Sequence, residues 1–239
     1  MLADARSLVD GGVDALLLEN FGDAPFYPES VPTHVVATLT ALTRDLVEAV
    51  SVPVGVNVLR NDAEAAVSVA AATGARFVRV NVHTGTTVTD QGLLEGRAHE
   101  TLRLRDRLDA SVAIYADVQT KHGRPLAGHR DVDRLARETV ERALADGVIV
   151  TGAATGERPS IDTVERVSRA LTTVDTDGEP IPVFVGSGVN QSTVVDCLEA
   201  GADGLIVGTA FKTGGVTANE VSTRRVRALI DALSDAGLR

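Results

Sequence analysis

The feature that most constrains this chain is a recurring junction, in which a helical segment ends at glycine and a short apolar run follows. It occurs at Gly11-Gly12-Val13, at Gly74-Ala75 before Phe77, at Gly147 before Val148, and at Gly201-Ala202 before Leu205. Glycine takes the left-handed conformation that ends a helix, and the chain can then turn into a strand. The runs read as seven strands: Ala15–Glu19, Val54–Asn57, Phe77–Asn81, Val112–Asp117, Val148–Thr151, Val183–Val185 and Leu205–Val207. Most are apolar at consecutive positions, the pattern of strands buried on both faces. Between them lie segments with a 3.6-residue rhythm, such as Ala63–Ala72 and Val132–Leu144.

Successive strands are ~30 residues apart, the size of one βα unit. Such a chain builds a parallel α/β sheet, either open and doubly wound or closed as a (β/α)8 TIM barrel. No dinucleotide fingerprint follows the first run, and the last two units carry glycine turns of the kind that hold phosphate in barrels. The barrel is therefore expected. The chain has 239 residues, close to the ~250 of one complete barrel, so 1–239 reads as a single barrel-type domain. It opens, however, in a helix with Leu2, Ala5 and Val9 on one face. A barrel opens in a strand. The expectation is a barrel apparently lacking its first strand, with a true seven-stranded variant as the alternative.

Charge narrows the partners. The net charge is −10, and the cations are 21 Arg against only 2 Lys. An acidic, Ala- and Val-rich, lysine-poor composition looks like that of a salt-loving, halophilic organism. With no basic stripe to neutralise phosphates, nucleic acid is excluded as a partner, although one small phosphorylated ligand is not. No apolar stretch is long enough for a transmembrane segment, and no signal pattern opens the chain, which points to a cytoplasmic protein. The one cysteine, Cys197, reads as a small packing residue of a helix.

In this fold the active site lies at the C-terminal ends of the strands. Those positions read Glu19-Asn20, Asn57, Asn81 with His83, Asp117 with Lys121-His122, Thr151-Gly152, Gly186-Ser187-Gly188 and Gly208-Thr209. One Asn at a strand end is more often a turn or a cap. Seven consecutive strand ends with such groups imply a site.

The glycine turns are its most specific part. Gly186, Ser187, Gly188, Gly208 and Thr209 follow the last two strands, where barrels of this kind bind phosphate through backbone N–H groups. Lys121 and Lys212 both map to the rim. In a chain that otherwise uses Arg, a lysine offers an amine whose pKa burial can lower. A solvated loop lysine is the competing reading, more so for Lys212. Asp117, Lys121 and His122 together suit proton transfer, and a Schiff base on Lys121 is a weaker option.

No metal site is assigned. Glu19, His83, Asp117 and His122 have suitable chemistry, but no H-E-x-x-H or paired-Cys spacing is present. The cofactor is unknown. His34, His99 and His129 read as surface or structural residues. Two long loops complete the rim. Asn20–Pro32 holds Phe21, Phe26 and Tyr27 between three prolines, and Val82–Gly96, rich in Thr and Gly, reads as a substrate-facing flap.

Several stretches together resemble a known family. They are Glu19 through Phe26, Gly55 through Asp62, Arg79 through Val82, Thr89 through Gly92 with Glu95 through Ala98, and Ala116 through His122. They look like the BtpA/SgcQ family, over essentially the whole chain. The resemblance implies a phosphate-binding (β/α)8 barrel similar to the ribulose-phosphate-binding group. It also implies a link either to photosystem I biogenesis or to sugar metabolism. Members carry a strand and a His-Leu-Pro-Pro-Leu-Pro-Gly-like turn before the first helix, which this sequence lacks.

Two functions follow as expectations. The first is an enzyme, an isomerase or lyase, acting on a phosphorylated small molecule such as a sugar phosphate or nucleotide-like compound. Asp117, Lys121, His122 and Glu19 would be its catalytic groups, and Asn20, Asn57, Asn81, His83 and Thr151 would bind substrate. The second is a non-catalytic assembly factor of a photosystem I-type membrane complex, using the aromatic loop. A homo-oligomer joined through an open sheet edge is a further option.

Overall fold

In the computed structural model, which describes residues 1–127, 131–152, 158–176 and 178–239, strands and helices alternate along the chain. Strands β1 (Leu16–Glu19), β2 (Val54–Asn57), β3 (Phe77–Val80), β6 (Ala113–Asp117), β8 (Gly147–Thr151), β9 (Val183–Gly186) and β10 (Gly204–Ile206) form one parallel sheet in that order. Each expected strand is present, with no end more than one residue away. Around them lie α1 (Leu2–Gly11), α2 (Thr33–Ala49), α3 (Ala63–Thr73), α4 (Ala98–Arg107), α5 (Val132–Glu141), α6 (Ile161–Leu171), α7 (Val194–Glu199) and α8 (Thr223–Asp235). Helix α5 stops short of the expected Leu144. The apolar rhythm runs on through Ala143 and Leu144, but Leu144 takes a left-handed φ of 51° and ends the helical path.

Residues alternate across each strand. Val56, Val78, Ile114, Val148, Val150, Val183 and Val185 form the buried core against the helices. Cys197 packs in the same layer, as expected, and burial pushes its thiol pKa up. The opposite faces point into the barrel. There the rings of Phe77, Tyr115 and Phe184 stack in sequence, with centroids 5.5 Å and 4.8 Å apart. Each ring meets a glycine on a neighbouring strand: Gly55 opposite Phe77, Gly147 opposite Tyr115, Gly204 opposite Phe184. A Cβ on Gly55 would stand 2.1 Å from the Phe77 ring, and one on Gly204 would stand 2.7 Å from Phe184. The glycines make room for an aromatic floor, and the polar strand ends lie above it.

The sheet is a half-barrel whose edge strands are β1 and β10. Helices hold these two sides together. Helix α1 packs on α8 so closely that a Cβ on Gly11 would stand 2.4 Å from Val226. Asp4 accepts from Lys212 Nζ at 2.8 Å and from the Val221 N–H at 2.9 Å. This corrects the rim reading of Lys212, because its ammonium is committed to Asp4 and pins α1.

The Val82–Gly96 flap is built from strands rather than irregular loop. It is a hairpin, β4 (Thr86–Thr89) and β5 (Gly92–Glu95), joined by the short β7 (Arg124–Pro125) into a three-stranded antiparallel sheet. The β-branched Thr86-Thr87-Val88-Thr89 run before the two-residue turn Asp90-Gln91 favours a strand over a loop.

Candidate functional site

Above the aromatic floor, strand alternation brings Glu19, Asn57, Arg79 and Asp117 into the barrel. Arg79 is the hub. Its Nε donates to Asp117 Oδ1 at 2.9 Å, its Nη2 to Asp117 Oδ2 at 3.0 Å, and its Nη1 reaches Glu19 Oε1 at 3.4 Å. The Arg79 and Asp117 side chains are 5% and 0% exposed. Burial opposes the charge on Arg79, but Asp117 and Glu19 outweigh it and hold the guanidinium pKa above its ordinary value. Asn57 donates to Glu19 Oε1 at 2.8 Å, and Asn81 to Asp117 Oδ2 at 3.0 Å.

These bonds divide the expected catalytic groups. Asp117 accepts three donors across its two oxygens, from Arg79 Nε, Arg79 Nη2 and Asn81 Nδ2. Glu19 has only Oε1 engaged, and its side chain is 24% exposed. Lys121 makes no ion pair or hydrogen bond among the described residues. Burial lowers its pKa, as do Arg79 and Arg60, against Glu19 and Asp117. His122 is exposed, at a left-handed φ of 60°. The Thr151 hydroxyl donates to Gln119 O at 2.9 Å.

Two expected ligand residues are engaged by the chain itself. Asn20 spends its side-chain amide on the main chain after β2. Its Oδ1 accepts from Leu59 N at 2.7 Å, and its Nδ2 donates to Leu59 O at 3.3 Å. It ties the aromatic loop to the rim. His83 turns away from the carboxylates, with Nε2 2.9 Å from Ala143 O, so that nitrogen carries the proton. Burial lowers its pKa, and Nδ1 has no partner. His34 and His99 are exposed, and His129 lies outside the described residues.

At the end of β9, Ser187 and Gly188 both take left-handed φ values, 70° and 65°. No described acceptor takes a hydrogen bond from either N–H. Successive N–H groups left without acceptors in a turn can face an anion as a nest. Gly186 faces the network across a gap that a side chain would fill, since a Cβ there would stand 3.9 Å from Arg79 Nη2. Gly208 opens a short 3₁₀ turn, Thr209–Phe211, and the Thr209 hydroxyl pairs with that of Thr217 at 2.9 Å.

A cavity of about 1210 Å³ opens beside the network, between the flap and the loops after β6 and β8. Asn81, Asp117, His122 and Thr151 line it, while Glu19, Asn57, Lys121 and the glycine turns stand outside its lining.

Two arginines escape a reading of strand ends alone. Arg79 sits in mid-strand, and its signal is parity: it lies two residues from Phe77 and two from Asn81, on the inward face. Arg60 lies three residues past β2, in a segment with no periodicity to place it. It is 3% exposed, and its guanidinium carbon stands 5.5 Å from the Phe26 ring centroid.

Comparison with known proteins fits this architecture. The BtpA family model matches residues 1–235. The chain belongs to the BtpA family. It is 43% identical over 232 residues to the photosystem I biogenesis protein BtpA of Synechocystis, covering 97% of this chain and 78% of that protein. An uncharacterised protein of Thermococcus kodakarensis is likewise 43% identical, over 96% of this chain and 83% of its own. Among solved structures, the Pyrococcus furiosus thiamine phosphate pyrophosphorylase superposes with a TM-score of 0.63 at 16% identity, covering 98% of this chain and 89% of that one. N-(5'-phosphoribosyl)anthranilate isomerase from the same organism gives 0.61 at 14% identity, covering 97% and 93%. These two likenesses establish the TIM-barrel type of fold. No helix among the described residues is long and apolar enough to cross a membrane.

Proposed function

We propose that this BtpA-family chain binds a small phosphorylated metabolite at the barrel mouth and performs acid–base chemistry on it, of the isomerase or lyase type. The phosphate sits on the Ser187–Gly188 nest, with Gly208 and Thr209 beside it. Glu19 Oε2 and the Lys121 amine move protons. Asp117 positions Arg79, and Arg79 in turn positions Glu19. Asn57 and Asn81 fix the carboxylates, and His122 and Thr151 line the adjoining cavity. The observation that carries this reading is the approach of Gly186 to Arg79. It joins the anion nest to the charged network, so a ligand held by its phosphate extends over Glu19 and Lys121. The two structural relatives named for phosphorylated compounds support the ligand class.

Isothermal titration with a panel of sugar phosphates tests it. Binding that Gly188→Val abolishes is the expected result. A wild-type protein that binds none of them, or a variant with unchanged affinity, overturns it.

A second reading is a non-catalytic assembly factor. It draws on the biogenesis role in the name of the Synechocystis relative and on Phe21 and Tyr27, which are 41% and 44% exposed. Loss of biological activity on Tyr27→Ser, with no loss on Lys121→Ala, would favour it.

A further inference from the structure

Two arginines are buried among the described residues, and they are treated in opposite ways. Arg79 has a fork of acceptors on Asp117 and a third contact on Glu19. Arg60, 3% exposed, has none among the described residues. Its main-chain N–H donates to Tyr27 O at 3.3 Å, which fixes the residue under the aromatic loop. No described carboxylate lies within ion-pair distance of its guanidinium, no described acceptor takes a hydrogen bond from it, and Nε is fully shielded from solvent. Among the described residues, its guanidinium lies over the Phe26 ring, 5.5 Å from the centroid. An aromatic face attracts a cation but satisfies no N–H donor, so it does not replace an acceptor. Buried charges are ordinarily paired and hydrogen-bonded.

The surroundings say what pairs with it. Asp90, Asp117 and Glu19 are near enough to favour its charge, without contact, while burial and Arg79 oppose it. Lys121, which likewise makes no ion pair or hydrogen bond among the described residues, senses Arg60 through space. Asn81 Oδ1 is buried without a donor. Two cations lacking acceptors and one acceptor lacking a donor suit a ligand that carries an oxyanion and a hydroxyl. Guanidinium binds carboxylate or phosphate through parallel hydrogen bonds.

We propose that Arg60 anchors a second oxyanion subsite on the β2 side of the mouth, so that the ligand is doubly anionic, a phosphorylated carboxylic acid or a bisphosphate. The first anion rests on the function proposed above, at the β9 turn. Strands β3, β6 and β8 lie between β2 and β9 in the sheet, so Lys121, which follows β6, stands between the two subsites, and Glu19, on β1, lies next to the β2 subsite.

Calorimetric titration of the full chain with fructose 6-phosphate, fructose 1,6-bisphosphate and 3-phosphoglycerate tests this. Hydrogen bonds to a charged group correspond to about ten- to a hundredfold in affinity, so one doubly anionic probe should bind tighter than the monophosphate by that factor. Which probe gains identifies the second anion. Arg60→Met should erase the gain and leave monophosphate affinity unchanged, and Arg60→Lys should retain part of it. Equal affinities in the wild type, or a gain that survives Arg60→Met, overturn the proposal. Thermal unfolding with added inorganic phosphate separates the two subsites. If Gly188→Val keeps a saturable rise in midpoint and Arg60→Met loses it, Arg60 binds anions even where the β9 reading fails. If Arg60→Met lowers the midpoint and keeps the phosphate response, Arg60 serves to pack on Phe26, and the proposal falls.

Discussion

Arg79 and Asp117 meet as fork on fork across the β3–β6 pair, with Nε on Oδ1 at 2.9 Å and Nη2 on Oδ2 at 3.0 Å. The pair is buried, and its register is set by Arg79 opposite Tyr115, two residues before Asp117. The floor aromatics lie beneath it and the proposed acid–base groups border it, so the pair couples the fold to the site.

Breaking that pair from one side should be severe. Arg79→Met leaves the Asp117 carboxylate buried with Asn81 as its remaining donor, and removing one partner of a buried pair costs about 3–5 kcal/mol. Removing both charges removes the penalty. Arg79→Met with Asp117→Leu should therefore be more stable than Arg79→Met alone. Urea unfolding of the singles and the double checks this; losses that simply add would show that the two residues do not act as a pair.

Lys121 should make stability depend on alkaline pH. Its folded pKa lies below its ordinary 10.5, chiefly through burial. The folded state therefore binds fewer protons than the unfolded state between those two values, and stability rises with pH across that window. The penalty is full below the folded pKa and absent above 10.5. Lys121→Met should be more stable than wild type at neutral pH, and the difference should shrink as pH approaches 10. Parallel pH dependences in the two proteins would show that the amine is not desolvated.

What the sequence reveals of this molecule depends on the physics at each position. The parallel strands were legible because doubly buried strands are apolar throughout, and the glycine junctions mark where each begins. Glu19, Asn57 and Asp117 were legible as rim positions because fold class alone assigns strand ends to the site. Their division of labour was not. Whether Asp117 is free or saturated depends on Arg79, which lies 38 residues earlier in sequence and meets it only through the β3–β6 pairing. Asn20 and Lys212 show the converse: each has suitable chemistry at a rim position, yet Asn20 is bound to Leu59 and Lys212 to Asp4. The flap is legible as a Thr- and Gly-rich segment, but its strands are not, because they are half exposed and threonine-rich, unlike the apolar runs that define the others.

His83 should set an acid limit. Burial holds its pKa below the ordinary 6.5, so it stays neutral in the fold while the unfolded chain takes up a proton. Stability from this residue is present above 6.5 and is lost as pH falls from 6.5 to the folded value. His83→Gln keeps an N–H for Ala143 O and has no proton to gain. Its unfolding midpoint should fall less than that of wild type between pH 6.5 and pH 5; identical slopes would exclude His83 as the source.

Gly55 should tolerate no side chain while Phe77 is present. The Cβ of Gly55→Ala would stand 2.1 Å from the ring, and such overpacking costs about 1–3 kcal/mol. Shortening the neighbour relieves it, so Phe77→Leu should destabilise the Gly55→Ala background by less than it destabilises wild type. Denaturant midpoints of the four proteins decide this, and equal effects of Phe77→Leu in both backgrounds would mean that the floor adjusts elsewhere.

Ser187 offers the sharpest separation of stability from function. Its φ of 70° lies in the left-handed region, where a residue with a Cβ carries strain of about 1–3 kcal/mol. Ser187→Gly removes that strain, at an entropic cost to folding of roughly 0.5–1 kcal/mol. If Ser187 were only a turn residue, the variant would be as stable as wild type or more so, with ligand binding intact. If it belongs to the anion nest, losing the hydroxyl and loosening the turn should weaken sugar-phosphate binding while the unfolding midpoint holds or rises. Calorimetric titration beside thermal unfolding reads both quantities. A variant that gains stability and keeps full affinity would assign the left-handed turn to chain geometry and move the phosphate elsewhere on the rim.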